Sequence, residues 1–180
     1  MRIFMPVMAW LFYVIATPVW ADCGYPDSDR GQAPEWLCGA TEFEGAIFLG
    51  YGDKSRMPAI SLQNRMAGKA AMIAVVEKLL RQAQTQLGSE LPESIALSLP
   101  AANELSRVAR FSGISVLDKV QSPQRHLYVL AGVKREDSGA LLNIARDEVL
   151  AENKKAIIAT LGKDGWRLLS KPRDKPALSK

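Results

Sequence analysis

Between Ser61 and Leu87 apolar side chains return every three or four positions, at Leu62, Met66, Ala70, Ile73, Val76, Leu80, Ala83 and Leu87. The spacing predicts one long amphipathic helix. A helix of that length sets the scale of the domain, because its apolar stripe must lie along a partner surface. Ala67, Ala70, Ala71 and Ala74 crowd its first half, and such small side chains let a helix approach a sheet closely. Gly88 is a natural stop.

The flanking segments supply that sheet. Gly45 to Gly52 reads as a strand, with Ile47, Leu49 and Tyr51 on one side and Ala46 and Phe48 on the other. Both faces are apolar, so the strand is expected to be central or covered on both sides. Pro100 ahead of Leu105, Val108 and Phe111 predicts a short helix that Gly113 could end. Ile114 to Val120 alternates as a strand, with Ile114, Val116 and Val120 on one face. Ser122-Pro123-Gln124-Arg125 is a turn, and His126 to Val133 is the returning strand of a hairpin. Leu127, Val129, Ala131 and Val133 alternate there with Tyr128 and Leu130. A last helix starts at Asp137 or Ser138, either of which can cap it. Its stripe is Leu141, Ala145, Val149 and Ala156, and Gly162 ends it. The order β-α-(α)-β-β-α defines an α+β domain, a small antiparallel sheet of about three strands packed against two main helices. With 180 residues, 48% of them hydrophobic, the chain can build one core without metal.

The N-terminus reads as an export signal. Met1-Arg2 is a short positive start, Ile3 to Ile15 an apolar run, and Val19-Trp20-Ala21 a cleavage site of suitable size. Residues 1–21 are therefore expected to be a signal peptide, with the mature chain starting at Asp22 in the periplasm or associated with the outer membrane. An uncleaved anchor is the alternative, since no charge falls between Ile3 and Ala21. Lipidation of Cys23 would need a small residue before it, and Asp22 stands there instead. Residues 22–44, with Gly24, Pro26, Gly31 and Pro34, read as an irregular lead-in. Its Cys23 and Cys38 are expected to pair in an oxidising compartment; free thiols are the alternative. The domain proper is 45–162. Residues 163–180 form a basic tail in which six Lys and Arg face only Asp164 and Asp174, and Pro172 and Pro176 suit a loose segment. The net charge of +4 owes more to leader and tail than to the folded body.

Every catalytic pattern tested fails. The one histidine, His126, has no G-x-S-x-G serine and no Ser-x-x-Lys to work with, and reads as a solvated turn residue. In Gly50-Tyr51-Gly52-Asp53-Lys54-Ser55 a carboxylate occupies the place a phosphate loop keeps for glycine. The two glycines are better explained by a strand that bends or packs closely. The acidic pairs Glu42/Glu44, Glu136/Asp137 and Asp147/Glu148 read as solvated faces, and no ligand set has metal spacing. No catalytic, cofactor or metal residue is expected, and the protein is read as non-enzymatic; a periplasmic enzyme with an unrecognised site is the alternative. Trp36 is either an exposed partner anchor or a cover for the core edge. Lys171, Arg173 and Lys175 could meet anionic lipid, lipopolysaccharide or glycan, or simply be solvated.

Pro34-Glu35-Trp36, the strand ending Gly50-Tyr51-Gly52, the alanine-rich helix Arg65 to Leu80 and the strand Leu127-Tyr128-Val129-Leu130-Ala131 occur in an order and spacing that resembles the LPP20 family of bacterial envelope lipoproteins. The related N-terminal domain of flagellar assembly protein T is also similar. The resemblance spans roughly Pro34 to Val149. It implies a helix-on-sheet domain in a Gram-negative envelope, non-enzymatic, acting in adhesion or assembly with another envelope protein or the envelope surface. Nucleic acid is not an expected partner, because export removes the chain from it. The departure is Asp22, which removes the lipidation site.

Overall fold

The computed structural model describes residues 23–103 and 105–171. The expected leader, Asp22, Arg173 and Lys175 lie outside the described residues. Two antiparallel sheets and three α-helices make the α+β fold expected from the sequence. A small hairpin joins β1 (Gly24–Tyr25) to β2 (Ser28–Gln32), and a 3-10 helix follows at Glu35–Cys38. Then come β3 (Ala46–Lys54), α1 (Ile60–Glu90), α2 (Leu105–Val108), β4 (Ile114–Gln121), β5 (Leu127–Lys134) and α3 (Ser138–Leu169).

The main sheet has the order β3-β5-β4. Its centre is β5, buried at every residue from Leu127 to Val133, as a strand covered on both faces must be. β3 is an edge strand. Of the two expected reasons for its two apolar faces, coverage on both sides holds: α1 covers one, and the lead-in segment covers the other. The lead-in is thus less irregular than its composition suggested. It forms a third layer, in which Trp36 packs with Ala46, Leu49, Tyr128 and Leu130. The larger core lies on the opposite face, between the sheet and α1 and α3.

Two β-bulges correct the expected alternation. The first falls between Ile47 and Gly50, where Phe48 takes φ 54°. The extra residue puts Ala46 and Leu49 into one cluster while Phe48 packs on the other core. The second falls between Val116 and Asp118. It leaves Ile114 in the helix-side core and sends Leu117 and Val120 to the lead-in side, with Val116 exposed. A bulge inserts one unpaired residue and so reverses the facing of everything beyond it; a strict two-residue period cannot register it.

The helix stripes also shift. The buried line of α1 begins Gln63, Ala67, Ala71, Val75, Leu79 and then continues through Val76, Leu80, Ala83 and Leu87. Met66, expected inside, is 41% exposed. The small face wins because Gly50 and Gly52 of β3 admit the helix backbone itself. A β-carbon on Gly50 would lie 2.7 Å from the Val75 nitrogen, and one on Gly52 would lie 2.6 Å from the Ala70 β-carbon. In α3 the stripe is Leu141, Ala145, Val149, Asn153, Ile157, so Ala156 is exposed. Neither expected cap acts through its side chain: Asp137 makes no capping hydrogen bond, and the Ser138 hydroxyl donates to the Arg135 carbonyl at 2.7 Å. Gly162 breaks α3 with φ 72°, but the chain resumes helical form to Leu169. Trp166 and Leu169 pack on the core, so the first turns of the expected tail belong to the domain.

Candidate functional site

The sheet end that carries the β4–β5 turn gathers most of the chemistry-bearing side chains. Ser122 and Arg125 close the turn through backbone hydrogen bonds, with Arg125 at φ 63°. His126 leaves it with its ring stacked on Tyr128 at 5.0 Å and its Nε2 2.6 Å from Asp53 Oδ2. Tyr128 Oη donates to Asp27 Oδ1 at 2.7 Å, and Ser122 Oγ donates to Asp27 Oδ2 at 2.6 Å. Burial raises the Asp27 carboxyl, but the bonds from Ser122 and Tyr128 outweigh it and hold the group below its ordinary value. Burial, then the Asp27 hydrogen bond, pushes the Tyr128 phenol well above its usual range.

This network pins the β1–β2 turn to the sheet. The Ser122 hydroxyl, the one nucleophile in it, is committed to Asp27 and accepts from the His126 amide at 3.2 Å. The imidazole faces Asp53, so base and hydroxyl are not paired as acyl transfer requires. His126 is nonetheless more engaged than a solvated turn residue. Two cavities lie elsewhere. One, of about 290 Å³, is lined by Trp36, Phe48, Leu49, Tyr51, Lys78 and Leu130 among others. The second, of about 170 Å³, lies between α1 and the Leu99–Ala102 stretch. Neither reaches His126, Asp53 or Lys54. Among the described residues no group of His, Cys, Asp and Glu is arranged to hold a metal.

The remaining sequence candidates separate widely. Gly50 and Gly52 stand inside β3 rather than in a loop. Glu42 pairs with Arg135 at 2.8 Å. Asp147 is exposed, but Glu148 is buried and binds Arg107 at 2.8 Å and also Arg110, which corrects its reading as part of a solvated face. Trp36 is 4% exposed, and its indole Nε1 donates to Asp118 Oδ2 at 2.8 Å. It packs as a cover over the lead-in-side core. Cys23 and Cys38 form a disulfide with Cα atoms 5.9 Å apart. Lys171 is exposed; Arg173 and Lys175 lie outside the described residues.

One charged surface carries no recognisable motif. From Lys54 to Arg81 the chain carries Lys54, Arg56, Arg65, Lys69, Lys78 and Arg81 against the single carboxylate of Glu77. A running charge count along the sequence would have shown it; amphipathic periodicity alone did not. The folded chain brings part of this block together with Arg125. The buried Gln63 amide donates to the carbonyls of Lys54 at 3.0 Å and Arg125 at 3.1 Å.

Fold and site together define an α+β helix-on-sheet domain with a disulfide-tied outer layer, its titratable clusters bound into the structure. No protein-family model and no curated protein matches the chain. Among the described residues no helix is long and apolar enough to cross a membrane.

Proposed function

We propose that the chain is an exported, non-catalytic envelope protein of LPP20-like type that acts through binding or assembly in the periplasm or at the outer membrane. The observation that carries this reading is the Cys23–Cys38 disulfide. It follows directly on an apolar leader in the sequence, and such bonds persist in oxidising compartments. The commitment of Ser122, Asp27, His126 and Asp53 to one another supports a binding rather than a catalytic role.

Fractionation of the native host with N-terminal sequencing and thiol counting tests the reading. The expected result is a chain beginning at Asp22, in the periplasmic or envelope fraction, with both cysteines oxidised. A cytosolic chain that keeps Met1 and two reactive thiols would overturn it. The binding role is tested by in situ crosslinking in intact cells: a defined crosslinked species is expected, and a chain that stays monomeric throughout counts against the role.

A further inference from the structure

The first half of α1 has two apolar faces. Ala67, Ala71 and Val75 face the sheet. The larger side chains Leu62 and Met66 lie away from it, half-buried and exposed respectively. Ile60, seven positions before Ala67 and so on its side of the helix, is 73% exposed at the helix start. Arg65 and Lys69 stand one turn apart beside Met66, both exposed. Around the same helix end, Arg56 and Arg125 are exposed and Lys54 half-buried, and the Gln63 amide ties the backbone carbonyls of Lys54 and Arg125 together. None of these five cations has an ion pair among the described residues. The nearby carboxylates Asp53 and Asp27, held by His126 and by Ser122 and Tyr128, keep their charge, and the five cations outnumber them by three.

We propose that this outward face of α1, with the Lys54–Arg56 loop and the Arg125 turn beside it, docks on an anionic phospholipid bilayer. Lys and Arg in excess over carboxylates attract an anionic surface, and a helix lies in a bilayer interface when cations border apolar side chains that enter the headgroup layer. A soluble polyanion would use the cations but leave Leu62 and Met66 without a role. The stems of Arg65 and Lys69 can lie along lipid while their charges reach phosphate. The inference is independent of the export reading, because the surface exists in whatever compartment the chain occupies, and it assigns the contact to the folded domain rather than to the C-terminal tail.

Cosedimentation of the full chain with vesicles tests it, comparing phosphatidylglycerol mixed into phosphatidylcholine against phosphatidylcholine alone; the neutral vesicles report any contribution from the apolar N-terminus. The expected result is a preference for the anionic vesicles that falls steeply with added salt. At about 1 kcal/mol per basic residue near such a surface, each cation removed should cost roughly fivefold in partitioning. The Arg56→Gln/Arg65→Gln/Lys69→Gln chain should therefore lose nearly all of the preference. Leu62→Ser/Met66→Ser should weaken it, and Arg173→Gln/Lys175→Gln/Lys180→Gln should leave it intact. The salt titration of the unaltered chain needs no variant to fold. Absence of any anionic preference would overturn the proposal. So would an unchanged preference in the α1 triple variant, or binding to dextran sulfate in solution with none to vesicles.

Discussion

Gly50 faces Val75 so closely that a β-carbon on the glycine would lie 2.7 Å from the valine's amide nitrogen and 2.8 Å from the Ala71 carbonyl. Backbone therefore packs on backbone where β3 meets α1. Gly50→Ala has no side-chain tip to push aside and must move the helix, so it should destabilise by about 3 kcal/mol, at the upper end of overpacking costs. Gly68, on the same helix with nothing within 4 Å of an added β-carbon, is the control. Gly68→Ala should stabilise by about 0.5–1 kcal/mol through helix propensity. Urea midpoints of the two variants are expected to move in opposite directions.

The disulfide ties the β1–β2 hairpin to the 3-10 helix that carries Trp36. Its cysteines are 15 residues apart, and a closed loop of that size contributes about 3 kcal/mol by restricting the unfolded chain. Cys23→Ser/Cys38→Ser should lower the unfolding free energy by about that amount. A reducing agent should reproduce the loss in the unaltered protein and do nothing to the double variant.

Trp36 and Asp118 join the lead-in layer to β4. Trp36→Phe keeps most of the ring volume but leaves the carboxylate without its indole donor. A hydrogen bond to a charged group is worth about 1.5–3 kcal/mol, and denaturant unfolding should show a loss in that range. Asp118→Asn in the Trp36→Phe background should then cost little more, since the coupling between the two positions is already gone.

Asp27 and Tyr128 give stability opposite dependences at the two ends of the pH scale. The Asp27 carboxyl is held below 3.8 in the folded chain. Its contribution is present above that value and lost as pH falls through the lower folded value. The Tyr128 phenol is raised above 10.0, so its contribution is whole below pH 10.0 and declines as pH rises beyond it. Melting temperature against pH should show a plateau between these limits. Tyr128→Phe should flatten the alkaline fall, and an unchanged fall would show that the Asp27–Tyr128 bond is not its source.

What was legible in the chain was everything that repeats locally. The three- and four-residue spacing from Leu62 to Leu87 announced α1, the alternation from Leu127 to Val133 announced β5, and Ser122-Pro123 announced the turn between β4 and β5. The two cysteines announced their own bond. The site-like side chains were also visible one by one, but their pairing was not. Asp53 and His126 are 73 positions apart, and Asp27 and Tyr128 101, distances over which no local pattern carries information.

The sequence by itself determined the α+β class and, from β3 onward, the kinds of element and their order, because hydrophobic periodicity is a local property that each segment carries alone. Only the tertiary structure decided which face of each element turned inward. Gly50 and Gly52 let the alanine face of α1 prevail over its leucine and methionine face. The bulges at Phe48 and Leu117 reversed their strands, and Asn153 took a core position because its amide bonds both the N–H and the carbonyl of Ser98. Those outcomes depend on close contacts between distant segments, and they left Ile60, Met66, Arg65 and Lys69 on the outside of the molecule.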